Sequence, residues 1–272
     1  MLPQNDGAAQ ARPICSVCMD LNVTTDPFFY LWKDKRWLIM RCRTCSHQFV
    51  YPYVTQSEQK EMYGDHYFSE EGDWVCGIWK SSYIQSEERL RKEAQLVLDM
   101  LPTRRGKLLE IGCAGGFFLD EARKRGFHVQ GIELNVSMAT HAQNRFGITV
   151  VQGRVEDIEK EFFNNEFDVV VMMDVLEHIP QPHSIIQKVN HWLKPHGYLL
   201  IRGPLANNRI AMLKEALRRL TKIEKQLSGY PLDANIFNKK SLARLVEQCD
   251  IKVSAWINET NNFANLLAQK SN

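Results

Sequence analysis

The sequence predicts an α/β chain: a mostly parallel, doubly wound sheet from about residue 104 onward, preceded by a small cysteine-bearing module. Three observations predict it. From Lys107 short apolar runs alternate with helical patterns, the signature of βαβ units. A glycine-bearing bend, Gly112 to Gly116, follows the first of those runs. Two C-x-x-C pairs, Cys15/Cys18 and Cys42/Cys45, lie together near the N-terminus.

Size and charge narrow the classes. At 272 residues with 44% apolar and 24% charged side chains, the chain can bury a sizeable core, as one large domain or a domain plus a module. Collagen-like, disordered and bare disulfide-scaffold readings are excluded. Lys and Arg number 34 against 32 acids, a net charge of +2, so no overall field draws the protein to nucleic acid or an anionic membrane. The first dozen residues lack the apolar stretch of a signal peptide, and the run near Val169–Met173 is too short to span a bilayer, so the cytoplasm is the expected location.

Along the chain, residues 1–12 read as a disordered tail and 13–53 as the cysteine module, with Phe28–Trp32 and Trp37–Met40 suited to a small sheet. Residues 54–103 form a helical linker, in which Leu90, Ala94, Val97, Leu98 and Leu101 recur at helical spacing before Pro102. The main domain, 104–272, reads as strand 108–111, helix 116–125, strand 128–132, helix 136–146, strands 149–151 and 168–173, helix 183–193 and strand 198–201. After Gly203 come a helix over about 208–227, a turn at 229–231, a helix over 241–248, and the runs 251–257 and 263–269. Those last two predict an antiparallel hairpin at the sheet edge.

The cysteine pairs point to a metal. Thiols of a non-secreted chain rarely persist as disulfides, and two C-x-x-C knuckles 23 residues apart supply four thiolates for a tetrahedral Zn²⁺. With Cys15, Cys18, Cys42 and Cys45 all ligating, no position stays open for water, so the expected metal is structural. Redox chemistry is the competing reading. His47, just past the last knuckle, reads as a surface residue or one that supports a ligand.

The stretch Leu108–Leu119, Leu-Leu-Glu-Ile-Gly-Cys-Ala-Gly-Gly-Phe-Phe-Leu, is the most informative. Residues with little or no side chain let a ligand approach the backbone where a buried strand turns into a helix. A dinucleotide fingerprint needs glycine at 112, 114 and 117; Ala114 and Phe117 break it. The loop instead resembles the E/D-x-G-x-G-x-G motif of class I S-adenosylmethionine-dependent methyltransferases, with Glu110, Gly112, Ala114 and Gly116 in its four positions. Phe167–Ile179 and Leu193–Ile201 resemble the same superfamily's D-V-L-E-H and L-K-P-G-G motifs, with His196 replacing a glycine.

That resemblance implies a Rossmann-like seven-stranded methyltransferase sheet, mostly parallel, and S-adenosyl-L-methionine as cofactor. Glu133, 21 residues past Gly112, ends the second strand, where a carboxylate can accept from both ribose hydroxyls. The resemblance makes it the ribose ligand. Cys113 and Leu134 accompany it in the implied cofactor site. Val155 and Glu156 are implied beside the adenine; Asp174, near the end of the fourth strand, is placed to contact the cofactor's amino-acid portion, and Val175 belongs to the expected cofactor site. The segment from Cys15 to Phe68 resembles the N-terminal zinc-binding part of some bacterial methyltransferases of glycan or secondary-metabolite pathways.

For catalysis, His178 lies after the fourth strand, where ligands gather, and reads either as a general base or as a histidine that packs and orients Glu177. Tyr67, Trp79 and Tyr83 are placed to close over the site or to serve as core aromatics. Arg209, Lys214, Arg218, Arg219, Lys222 and Lys225 make a basic helix within an insertion at about 204–238, either a solvated face or a surface for a phosphorylated or nucleotide-linked acceptor. Tyr230–Phe237 resembles the family's P-x-H-L-x-x-F segment, with Asp233 in place of its histidine. The leading expectation is methyl transfer to an oxygen, or less favoured a carbon, of a small molecule such as a sugar precursor or secondary metabolite. An rRNA or tRNA methyltransferase gripping RNA through the zinc module, and a non-catalytic cofactor-binding module, are the alternatives.

Overall fold

A computed structural model describes residues 12–63, 86–206, 224–227, 231–257 and 263–272. In the N-terminal segment the aromatic and β-branched stretches form β1 (Val23–Trp32), β2 (Lys35–Cys42) and β3 (Gln48–Tyr51), paired antiparallel in that order. α1 (Gln56–Met62) follows, its start fixed by reciprocal capping between Thr55 and Glu58. α2 (Glu87–Asp99) buries Ala94, Val97 and Leu98, the apolar stripe expected of it.

The apolar runs then become β4 (Gly106–Ile111), β5 (Phe127–Glu133), β6 (Thr149–Gln152), β7 (Phe167–Met173) and β8 (Leu193–Pro204). Between them lie α3 (Phe117–Lys124), α4 (Val136–Phe146) and α5 (Pro182–Trp192). The remaining elements are β9 (Lys225–Leu227), β10 (Asn235–Ile236), α6 (Lys239–Glu247), β11 (Ile251–Ile257) and β12 (Phe263–Lys270). The seven-stranded sheet has the order β11-β12-β8-β7-β4-β5-β6. β4 to β8 run parallel, and β12 and β11 add the expected antiparallel hairpin. The chain winds outward from β4 to β6, then returns to pair β7 on the other side of β4. This reversal opens a crevice at the carboxyl ends of β4 and β7.

Strand periodicity divides the core into two layers. Leu109, Ile111, Val170 and Met172 belong to the layer that holds Ile185 and Val189 of α5 and Leu242 and Leu245 of α6. Leu108, Val169 and Val171 belong to the other layer, with α2, α3 and α4. The first layer continues without a break into Cys15, Val17, Met40 and Phe49 of the small sheet. That sheet also draws on later chain: β10 pairs β3 and β9 pairs β1, giving the order β10-β3-β2-β1-β9.

Two local expectations change. The helix expected to reach residue 227 has become strand at its end, because Lys225–Leu227 pair with the open edge at Phe28–Tyr30, and edge pairing overrides local preference. Residues 208–223 of that expected helix lie outside the described residues, as do Tyr67, Cys76, Trp79 and Tyr83 and residues 1–11 of the expected tail. β8 begins five residues before the expected 198, since Leu193–Gly197 continue the strand through a register shift, with His196 at φ 63. Histidine is among the residues that tolerate this left-handed region. Among the described residues, no helix is long and apolar enough to cross a membrane.

Candidate functional site

The crevice is a cavity of about 840 Å³. β4 carries buried Glu110 to its floor, and the backbone then bends at Gly112, with φ 74. A Cβ there would sit 2.3 Å from Val175 Cγ2, so the position admits no side chain. Ala114, standing where the motif has glycine, also takes a left-handed φ of 43. The Glu133 carboxylate ends β5 and fastens two bends at once: Oε2 accepts from the Ala114 N–H at 2.8 Å and Oε1 from the Asn135 N–H at 2.7 Å. A carboxylate has four lone pairs, so two remain for a ligand.

Glu110, Gly112, Cys113, Ala114, Glu133 and Leu134 all line the cavity. So do Val155 and Glu156 after β6, and Asp174, Val175 and His178 after β7. The lining does not include Gly116. With φ 82, and with a Cβ that would meet Ala142 Cβ at 2.7 Å, Gly116 instead lets α3 start tight against α4.

The floor is electrostatically unusual. Burial, and then the charge of Glu133, raise the Glu110 carboxyl well above the usual carboxylate range. Its Oε2 is buried without a hydrogen-bond partner among the described residues. Burial raises Glu133 as well, opposed by the N–H groups that it accepts from. The Cys113 thiol is pushed up by burial first and by these two acids next. A buried, underserved acceptor here suits a cationic ligand group.

The loop after β6 is held from behind. Lys188 of α5 donates through Nζ to the carbonyls of Val155, Glu156 and Ile158 at 3.2, 2.7 and 2.6 Å. Lys188→Met keeps the stem but leaves these carbonyls unserved. It is expected to cost about 1–3 kcal/mol of stability, read by denaturant unfolding. Unchanged stability would count against this role.

His178 sits on a short 3-10 turn, Leu176–His178, with Nδ1 3.2 Å from Asp233 Oδ1 and the Tyr63 ring edge-on at 5.7 Å. Burial alone would lower its imidazole, but the hydrogen bond to Asp233 and the charges of Glu177 and Asp233 push it up to about 9. Glu177, 5% exposed, is raised by burial to about 7. Asp233 is the residue that stands in place of the motif's histidine. Sequence reasoning missed Gln59, Tyr63, Arg89, Glu93, Arg202 and Phe263, all of which line the cavity. Arg202 pairs with Glu93 of α2 and lies 5.7 Å over the Phe263 ring, so three distant segments form one wall. The one available signal was that Glu93 and Arg89 fall off the apolar stripe of α2.

At the N-terminus the four sulfurs of Cys15, Cys18, Cys42 and Cys45 lie within 4.8 Å of one another. The Cys15–Cys45 and Cys18–Cys42 separations are 3.6 and 3.5 Å. Tetrahedral Zn²⁺ with ~2.3 Å bonds places sulfurs about 3.8 Å apart, so the set fits that ion. His47 is not at the surface: it is fully buried, its ring driven down to about 4 by burial, and it bonds Ser16 and Asn235.

A family model described as a methyltransferase domain matches residues 85–255, more than half of the chain. Over 103 residues the chain is 38% identical to a ubiquinone biosynthesis O-methyltransferase of Glaesserella parasuis, matching 35% of this chain and 44% of that protein. A protein of the same name from Proteus mirabilis is 26% identical over 162 residues, 57% of this chain and 60% of that one. The chain therefore spans less than two thirds of the length of these curated relatives. Among solved structures, a SAM-dependent methyltransferase from Thermotoga maritima superposes with a TM-score of 0.52 at 18% identity, over 71% of this chain and 94% of that one, a likeness of fold. With the crevice at the β4–β7 reversal and a matched family model running from α2 through β11, the chain belongs to the methyltransferase-domain family.

Proposed function

We propose that this chain transfers a methyl group from S-adenosylmethionine to an oxygen of a hydroxyl-bearing small molecule. The observation that carries the reading is the placement of His178, held by Asp233, on the wall of the cavity that the Gly112 bend and Glu133 also line. When bound, the cofactor supplies an electrophilic methyl group on a sulfonium. The free lone pairs of Glu133 would accept the ribose hydroxyls, Val155 and Glu156 would flank the adenine, and Glu110 and Asp174 would accept from the ammonium of the amino-acid end. The bend at Gly112 and Ala114 lets the ligand lie against backbone.

Alignment of acceptor and methyl carbon supplies most of the rate in a displacement of this kind, and a hydroxyl acceptor also needs its proton taken. His178, oriented through Nδ1 by Asp233, is the group placed to take it. The sulfur cluster holds Zn²⁺ structurally, because four protein thiolates leave no open coordination position. The proposed acceptor is a hydroxyl-bearing molecule; of the basic run at 209–225, read as a solvated face or a surface for a phosphorylated acceptor, only Lys225 in β9 falls among the described residues.

The test incubates purified protein with methyl-labelled S-adenosylmethionine and a panel of phenols, sugars, sugar nucleotides and amines, with products located by mass spectrometry. Label on oxygen is the expected result. Label found only on nitrogen or carbon would overturn the oxygen assignment, and failure of S-adenosylmethionine to bind in calorimetry would overturn the cofactor.

A further inference from the structure

Ser16 lies inside the first cysteine knuckle, between Cys15 and Cys18, and its hydroxyl donates to Asn235 Oδ1 at 2.7 Å. The Nε2 of His47 lies 2.9 Å from the same oxygen and 3.1 Å from Ser16 Oγ. All three residues are buried. The other end of the Asn235 amide donates through Nδ2 to the Ile179 carbonyl at 2.6 Å. Ile179 directly follows His178. One amide therefore reaches from the metal knuckle to the turn that walls the cavity.

Its orientation is set by the Ile179 carbonyl, against which a flipped amide would place its own oxygen. A second tie runs in parallel: Gln59 of α1 donates to the His178 carbonyl at 3.1 Å and accepts from Arg154 at 2.7 Å. The turn in turn presses on the cofactor bend, since Val175 occupies the space that a side chain at Gly112 would need. Knuckle, turn and bend thus form one contiguous set of contacts, buried at Ser16, His47, Asn235 and Ile179 and half-buried at His178, Val175 and Gly112.

We propose that Asn235 is a positioning residue that couples the four-cysteine metal site to the turn bearing Val175 and His178, so that metal and cofactor stabilise one another's binding. This rests on the zinc and S-adenosylmethionine readings given above. Coupling is reciprocal in binding free energy, so the cofactor must tighten the hold on the metal if the metal tightens the cofactor site. The zinc module then acts as a buttress of the reaction site.

The test uses the whole chain, zinc-loaded, and measures zinc affinity by equilibrium competition with 4-(2-pyridylazo)resorcinol, with and without saturating S-adenosylhomocysteine. In the native protein the ligand is expected to tighten zinc binding at least about fivefold, the low end of typical couplings. In Asn235→Ala that tightening is expected to vanish, while one zinc per chain and measurable S-adenosylhomocysteine binding remain. The ratio within each variant cancels any general loosening, which a merely structural role would cause equally with and without ligand. Ser16→Ala, which leaves the bond to Ile179 in place, is expected to lose at least half of the tightening and serves if Asn235→Ala is insoluble. Equal zinc affinity with and without ligand in the native protein, or full tightening in the variants, overturns the coupling. Metal analysis showing no zinc, or calorimetry showing no ligand binding, instead removes the reading on which the coupling rests, and the coupling with it.

Discussion

Glu133→Ala is expected to weaken S-adenosylmethionine binding by about 100-fold or more in calorimetry. The carboxylate does two things at one point of the fold. It accepts from the N–H groups of Ala114 and Asn135, which shape the bend and the start of α4, and it presents its other lone pairs to the cavity. A hydrogen bond to a charged group contributes about 1.5–3 kcal/mol, and each 1.4 kcal/mol is tenfold, so losing two such bonds to a ribose reaches that size. Glu133→Gln separates the roles. Because burial raises the native carboxyl, ionising Glu133 in the folded protein costs stability at every pH above its ordinary range. The neutral amide removes that cost but places an NH₂ where an N–H must be accepted. Glu133→Gln is therefore expected to melt close to the native temperature yet bind the cofactor at least about tenfold more weakly. Near-native affinity in both variants would remove Glu133 from the ribose site.

The parts of the molecule that could be read in the sequence are those whose causes are local. α4 occupies the expected residues because Asn135 caps one end, accepting from the Met138 N–H, and Gly147 closes the other at φ 64. The bend at Gly112 was legible because its backbone demand is written in residue types. β9 and β10 were not, since strands of three and two residues exist only by pairing with the edges of β1 and β3. The wall of the cavity made by Glu93, Arg202 and Phe263 was hidden for the same reason: these residues come from elements far apart in sequence, and no spacing announces that they meet. His178 was singled out, but its partner Asp233 entered only as a departure from a motif. The tie at Asn235 had no sequence signal, because an asparagine in a two-residue strand that exists only by pairing with β3 reads in sequence like any turn residue.

The second large effect concerns that histidine. His178→Ala is expected to lower kcat by about 10²- to 10⁴-fold, measured with whichever hydroxyl acceptor accepts labelled methyl, while cofactor affinity stays within threefold. At pH 7 a group titrating at about 9 is in its proton-accepting form in only about one molecule in a hundred. If His178 takes the acceptor's proton, kcat/KM must climb close to tenfold per pH unit from 7 towards 9 and then level. Asp233→Asn removes the main group that holds the imidazole up, so the climb should move to lower pH even as positioning suffers. Stability carries the opposite sign. A histidine whose folded value is raised stabilises the fold fully below its ordinary value near 6.5, and that contribution fades as pH rises through about 9. Native protein and Asp233→Asn should therefore differ most in melting temperature near pH 6 and converge above pH 9. A flat rate profile between pH 7 and 9, with His178→Ala still turning over within threefold of native, would leave the imidazole as a packing group and put the base elsewhere.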